Sequence, residues 1–548
     1  MRLDGAHASA ETVTGGARGL TPAAWALLVA VGAALAGVGW LRLEAGPVSI
    51  AAEDRLRACA GLATLVLLLL GRGWTGRRAG VAFAVAATLG VVTFYNFGLF
   101  RHFNDLRFIN HWEHFHYQLG AKYFPELGYD GLYVASLAAQ RQVDPDSPRQ
   151  TVIRDLRSNA LTQTSELAGH IAEVRERFSP DRWQDFVADH RYYLRVNDPG
   201  VIDGIRRDHG YNPTPTWTFV ARLFGSHLPA SRWALALLSS LDVLLLVAAF
   251  GAIARVHPVR IFAIALVVFG VGYGWRYIYV GAFLRLDWLA AIALGLCALR
   301  RGRWVVAGVL FGYATLVRVF PVLLLFGPGV LAVGAWLRGE RPRWPLQLGA
   351  GFAAALVVGL GVGSVTGRGF AAWPEFAENI QLHRTSWAPN SVGLENIVVH
   401  GARLVRQGAV VPRSWTLPPG EADALLRDRQ LYAGLGSGLL LLLLAGAAWG
   451  APLDRAAALG IAGMFALTPL SSYYWILLIA LPLAGAEGVA LGFVAVCAGL
   501  YALGAIGAPS AWLYSLLSIA LGALLVGWMA AEIRSGRIDS RSVAEGRD

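Results

Sequence analysis

Apolar runs of 16–25 residues recur along most of this 548-residue chain. A run of that length crosses a hydrocarbon core of about 30 Å as a helix. No other feature limits the fold as strongly, because in lipid only helices and closed barrels satisfy their own backbone hydrogen bonds. A barrel would show alternating segments of about ten residues, and these runs do not alternate. Only 15% of the residues are charged and 55% are hydrophobic, whereas soluble domains carry about 25% charge. The chain therefore reads as an all-α polytopic membrane protein.

The expected spans are 22–42, 56–71, 79–100, 232–255, 259–279, 284–299, 303–318, 319–337, 345–365, 431–450, 455–470, 472–486, 488–508 and 511–531. That predicts about 12–14 transmembrane helices, with hairpins or kinks at Pro321 and Pro469. Residues 1–21 are polar and the next apolar run is too long for a signal-peptide core, so no cleaved leader is expected. Cys59, Cys297 and Cys497 each lie within an apolar run, and no pair has metal-ligand spacing.

The net charge of +11 is topological and does not point to nucleic acid. Arginines cluster in short connections: Arg72, Arg77 and Arg78; Arg255 and Arg260; Arg300, Arg301 and Arg303; Arg338, Arg341 and Arg343; then Arg534 and Arg537. Positive loops stay cytoplasmic. This pattern makes 1–21 and 532–548 cytoplasmic tails around three blocks of spans, 22–100, 232–365 and 431–531. It puts the long segments 101–231 and 366–430 together on the outer face.

Eight of the 12 histidines lie in 101–231. A connection this long in so apolar a chain is exceptional. Within it, Val152, Leu156, Leu161, Leu167, Ile171, Val174 and Phe178 recur at roughly helical spacing, so 147–195 is expected to form amphipathic helices rather than a sheet domain. The segment opens with Asp105, Glu113, His114, His116 and Tyr117. In a helix, Glu113, His116 and Tyr117 share one face. A carboxylate beside imidazoles can act as a general base, the same types can ligate a metal, or the group is simply a solvated helix at the membrane face.

Further candidates lie at the outer ends of spans. Arg276, Arg285, Asp287 and Arg318 fall on the same side as the long segments, and charge near a span is usually functional. Arginines there suit a phosphate, or else Asp287 pairs with Arg285 or Arg276 and only holds the bundle. Asp242 lies deeper, as a partner for one of these arginines or as a packing group. His383, Arg384 and Asn390 lie in the second outer segment. Tyr211-Asn212-Pro213-Thr214-Pro215 leads toward the span from 232, and Thr468-Pro469-Leu470-Ser471 breaks a helix.

In this order, these elements resemble the C superfamily of polytopic glycosyltransferases (GT-C). The likeness is greatest to the bacterial polyprenyl-phosphate-mannose-dependent, glycosyltransferase 87-like family, over roughly residues 80–485. The matching elements are Glu113…Tyr117, Gly120…Tyr123 with Gly131-Leu132-Tyr133, Tyr211-Asn212-Pro213-Thr214-Pro215, Asp242, Arg318-Val319-Phe320-Pro321, Asn390-Ser391 and Thr468-Pro469-Leu470-Ser471.

The resemblance implies a GT-C-like bundle with a helical extracytoplasmic loop domain, in a bacterial plasma membrane. It implies a polyprenyl-phosphate-sugar donor, a lipid or cell-envelope glycan acceptor, no cofactor and no required metal. Glu113, with Asp105 second, is the expected catalytic base. Arg318, with Arg285 or His383 and Arg384, is expected to hold the lipid phosphate, and His114, His116, Tyr117, Arg276, Asp287 and Asn390 to contact substrate. The rival classes are a transporter or lipid flippase, which often carries inverted repeats, and a non-catalytic scaffold. No two-half symmetry is visible here.

Overall fold

The computed structural model describes residues 49–98, 108–146, 150–274, 280–384, 390–406 and 420–545. The expected span 22–42, the 1–21 tail, Asp105 and Arg276 lie outside the described residues, as does the side chain of Arg384.

Among the described residues, eight helices are long and apolar enough to cross a membrane. They are Ile50–Gly73, Gly76–Phe94, Arg232–Val256, Phe320–Leu337, Trp344–Gly363, Gln430–Ala448, Glu487–Ala505 and Trp512–Ser535. Three shorter apolar helices, Val259–Val271, Trp304–Val317 and Ser472–Leu483, fall where spans were expected. Asp287–Arg300 and Leu453–Leu467 occupy two more such positions. The architecture is all-α and multi-pass.

Two helices end at an extended residue rather than continuing through a kink. Arg318 caps Trp304–Val317 at φ −142°, and a 3₁₀ stretch from Phe320 to Leu325, with Pro321 in its first turn, leads into the next helix. Thr468 ends Leu453–Leu467 at φ −132° ahead of Pro469, in keeping with the bias of a pre-proline residue away from helix. The C-terminal helix runs on from Ser510 to Glu545, so the expected 532–548 tail is largely helical.

Helices approach closely where glycines face each other. A Cβ on Gly270 would overlap the Gly90 carbonyl oxygen, so Gly76–Phe94 and Val259–Val271 pack backbone to backbone. Ion pairs tie the helix ends remote from the 101–231 segment. Arg300 meets Asp454 at 3.1 Å, Arg455 meets Glu532 at 3.1 Å, and Arg260 meets Glu487.

The described residues of the 101–231 segment fold against the other end of the bundle. The segment differs from the expectation at 147–167, where residues 152–155 and 160–163 form an antiparallel hairpin. Thr151, Val152 and Ile153 are β-branched and favour a strand. Asn159 takes φ +56° in the turn, and Asp155 accepts from the Arg157 amide at 3.1 Å. Ile153 and Leu156 are buried while Leu161 is exposed, so the helix-like spacing was coincidental. Helices do follow, at Ala168–Glu176 and Pro180–Val196. Pro215 opens a short helix to Gly225, capped by Thr214, before the span at 232 begins. Phe115, Tyr123, Tyr133, Phe186 and Tyr193 form the segment's aromatic core. Lys122, the chain's one lysine, is buried beside Asp189 at 2.7 Å.

Candidate functional site

The helix that carries Glu113 starts at Asn110, whose side-chain oxygen accepts from the Glu113 amide at 3.2 Å. It runs His111–His114, widens into a π turn at Phe115–Leu119, and continues to Lys122. π turns recur at functional sites.

This helix is registered directly on the bundle. The Asn110 amide donates to the Gly281 carbonyl at 3.0 Å, and so does the Ser239 hydroxyl at 2.7 Å. His114 Nε2 lies 2.8 Å from the same hydroxyl, whose proton is already committed. Hence His114 carries its proton on Nε2 and donates it, and this residue braces the helix from behind the site.

Residues 280–286 cross the end of the bundle as an irregular strap. Leu284 takes φ +49°, a conformation costing a non-glycine residue roughly 1–3 kcal/mol. Hydrogen bonds hold it from three sides. Trp217 Nε1 donates to the Leu284 carbonyl at 2.9 Å and Trp288 Nε1 to the Arg285 carbonyl at 3.0 Å. The two oxygens of Asp242 accept the amides of Arg285 and Leu286 at 2.9 and 3.0 Å. The strap thereby aims the Arg285 guanidinium at the insert.

Arg285 Nε meets Glu113 Oε2 at 2.7 Å, and its Cζ lies 4.1 Å from the centre of the Tyr117 ring. The Tyr117 hydroxyl donates to Asn212 Oδ1 at 3.1 Å. Glu113, Arg285 and Tyr117 are buried. Burial pushes the Glu113 carboxyl up; Arg285 pulls it down, Asp208 pushes it up and Arg318 pulls it down, leaving it at about 7. Arg318 lies at the nearby helix break, 5.9 Å from the centre of the Tyr474 ring. Asp287 accepts from the Tyr313 hydroxyl at 2.7 Å and from the Trp288 amide at 2.8 Å. The centre therefore joins one carboxylate of raised basicity to two guanidiniums within a shell of tyrosines.

Other expected site residues sit elsewhere. His116 Nε2 meets the Tyr133 hydroxyl at 2.7 Å, while its Nδ1 lies 3.0 Å from the Trp112 carbonyl and so carries the proton. Burial lowers its pKa, and it stays neutral. His383 packs edge-on against His209, 5.6 Å between ring centres. Burial and then the His209 charge lower its pKa to about 4, so at neutral pH it offers a neutral ring rather than a cation. The Asn390 carbonyl accepts the Ser472 amide at 2.8 Å, beside an antiparallel pairing of Ser391–Val392 with Leu470–Ser471. Ser391 and Val392, in the 366–430 segment, are thus tied to the chain at the Pro469 break.

Three roles escaped the sequence reading. Asp208 accepts from Trp112 Nε1 at 2.8 Å and bears on the Glu113 charge, yet it stands just before the stretch singled out at Tyr211. Asn212 holds Tyr117. Asp242 grips the backbone of Arg285 rather than a guanidinium. Among the described residues, no group of three or more His, Cys, Asp or Glu side chains is placed to hold a metal ion.

Fold and site together define a multi-pass helical membrane protein with a buried carboxylate–arginine centre where a large insert meets one end of its bundle. Comparison with protein-family models, with curated proteins and with solved structures gives no match to this chain.

Proposed function

We propose that the chain is an integral-membrane glycosyltransferase of the GT-C type. It moves a mannose-like hexose from a polyprenyl-phosphate-sugar to a hydroxyl of a lipid or cell-envelope glycan, at the outer face of a bacterial plasma membrane. The observation that carries this reading is the Glu113–Arg285 contact of 2.7 Å, with Arg318 close enough to act on the same carboxylate. One general base and two phosphate-binding cations are what transfer from a lipid phosphate requires.

Glu113 takes the proton of the acceptor hydroxyl as its oxygen attacks the anomeric carbon. The bond from that carbon to the phosphate oxygen breaks, and its electron pair leaves with the polyprenyl phosphate. Attack from the face opposite the leaving group gives inversion. A carboxyl near pH 7 suits this role, because a base is most effective when its pKa lies near the working pH. Arg318 and Arg285 offset the charge that develops on the departing phosphate. The insert covers the centre and keeps water from competing with the acceptor.

A membrane assay with radiolabelled polyprenyl-phosphate-sugar tests the proposal. Label should pass to lipid or polysaccharide, and Glu113→Gln should abolish that transfer while donor binding persists. Full turnover by the variant refutes the base assignment. Movement of label across the membrane without bond formation makes the protein a transporter instead.

A further inference from the structure

Asp242 is a carboxylate inside the apolar Arg232–Val256 helix and is only 4% exposed. An acid within a span is costly and usually has a function. This one spends both oxygens on two consecutive backbone amides, at 2.9 and 3.0 Å. Those amides belong to Arg285 and Leu286, directly after Leu284 with its φ of +49°. A strained residue persists where its surroundings over-determine it, and such residues cluster at functional sites. Aspartate at this height receives both amides at once; asparagine presents one oxygen and turns an N–H₂ toward the other amide.

The geometry points to Asp242 as a positioning residue: by clamping the strap at Arg285 and Leu286, it holds the Arg285 guanidinium against the Glu113 carboxylate. The inference rests on Glu113 being the base of the proposed transfer. It adds that the base is tuned from inside the membrane, by a side chain that need not touch substrate. The charged and titratable groups facing Glu113 are Arg285 and Arg318 from the bundle, Asp208 from the insert, and Tyr117 on its own helix. Of these, Arg285 is the one whose own backbone amide Asp242 accepts, at 2.9 Å.

The test is an infrared pH titration of the Glu113 carboxyl in the full-length protein, with its band assigned by its loss in Glu113→Gln. It uses no donor, so it stands whether or not the membrane assay detects transfer. The wild-type midpoint is expected at about 7. Arg285→Ala should raise it by about one pH unit or more, the effect of losing an opposite charge in contact. Asp242→Asn should produce at least half of that rise. If the asparagine form does not accumulate, Asp242→Glu sets the carboxylate a methylene out of register and should move the midpoint in the same direction. A midpoint unchanged in the Asp242 variant that accumulates overturns the inference, even if that variant melts earlier, because a merely structural role lowers stability without retuning Glu113. A midpoint unmoved by Arg285→Ala overturns it as well.

Discussion

Glu113→Gln should change how the protein's stability depends on pH, apart from any effect on activity. The Glu113 carboxyl rises from an ordinary 4.5 to about 7 in the fold, and each pH unit of difference is worth about 1.4 kcal/mol. The folded state therefore holds this proton by about 3 kcal/mol more than the unfolded chain does. Because the folded value is the higher one, that stability is fully present below pH 4.5 and is lost as pH rises through 7. Glutamine cannot ionise, so the variant escapes this loss. For 548 residues, the entropy of unfolding converts about 3 kcal/mol into a Tm change of about 3 °C. Melting of wild type and variant in one detergent from pH 5 to pH 8.5 is the assay. Because part of the loss is already complete at pH 5, the Tm gap, variant minus wild type, should widen by about 2 °C toward the alkaline end. Parallel curves would refute the reasoning: Glu113 would then be ionised throughout, and burial would not govern its basicity.

Arg318→Ala should raise the donor concentration needed for half-maximal transfer by about tenfold or more, since a charged hydrogen bond is worth about 1.5–3 kcal/mol; an unchanged donor dependence removes Arg318 from the phosphate site. Asp189→Ala strands the buried Lys122 and also leaves the Tyr123 hydroxyl and the Ala230 amide without their acceptor. It should cost about 3–5 kcal/mol, read as a fall in Tm of several degrees. Gly270→Ala should prevent accumulation of folded protein in the membrane fraction, because the new methyl meets the Gly90 backbone rather than a movable side chain. Asn159→Ala removes a residue that tolerates positive φ, and with it the bonds to His209 and to the Leu382 carbonyl. Hydrogen exchange at 152–163 should quicken about tenfold, from a local loss of about 1–2 kcal/mol.

The spans were legible because lipid imposes a length and a composition on every crossing helix. Phe320–Leu337 and Glu487–Ala505 begin and end within a few residues of the runs that marked them. The hairpin at 152–163 was not legible, since Val152, Leu156 and Leu161 recur at a roughly helical spacing while β-branching and the Asn159 turn favour a strand. Periodicity records which side chains are buried and not which backbone buries them.

At the site, the residue types could be read in one dimension and their assignments could not. Glu113, Tyr117, Arg285 and Arg318 stood out as charge or polarity where an apolar chain should have little. Nothing in their spacing says that Arg285, 172 positions beyond Glu113 in the numbering, meets it, or that His116 and His383 turn away to Tyr133 and His209. Composition and hydropathy alone determined an all-α, multi-pass architecture with one large insert, because the cost of bare backbone in lipid leaves the chain no alternative. Tertiary structure alone decided which charges meet and how basic the carboxylate becomes. Those depend on distance and burial, and both are set when the strap at 280–286 folds across the end of the bundle.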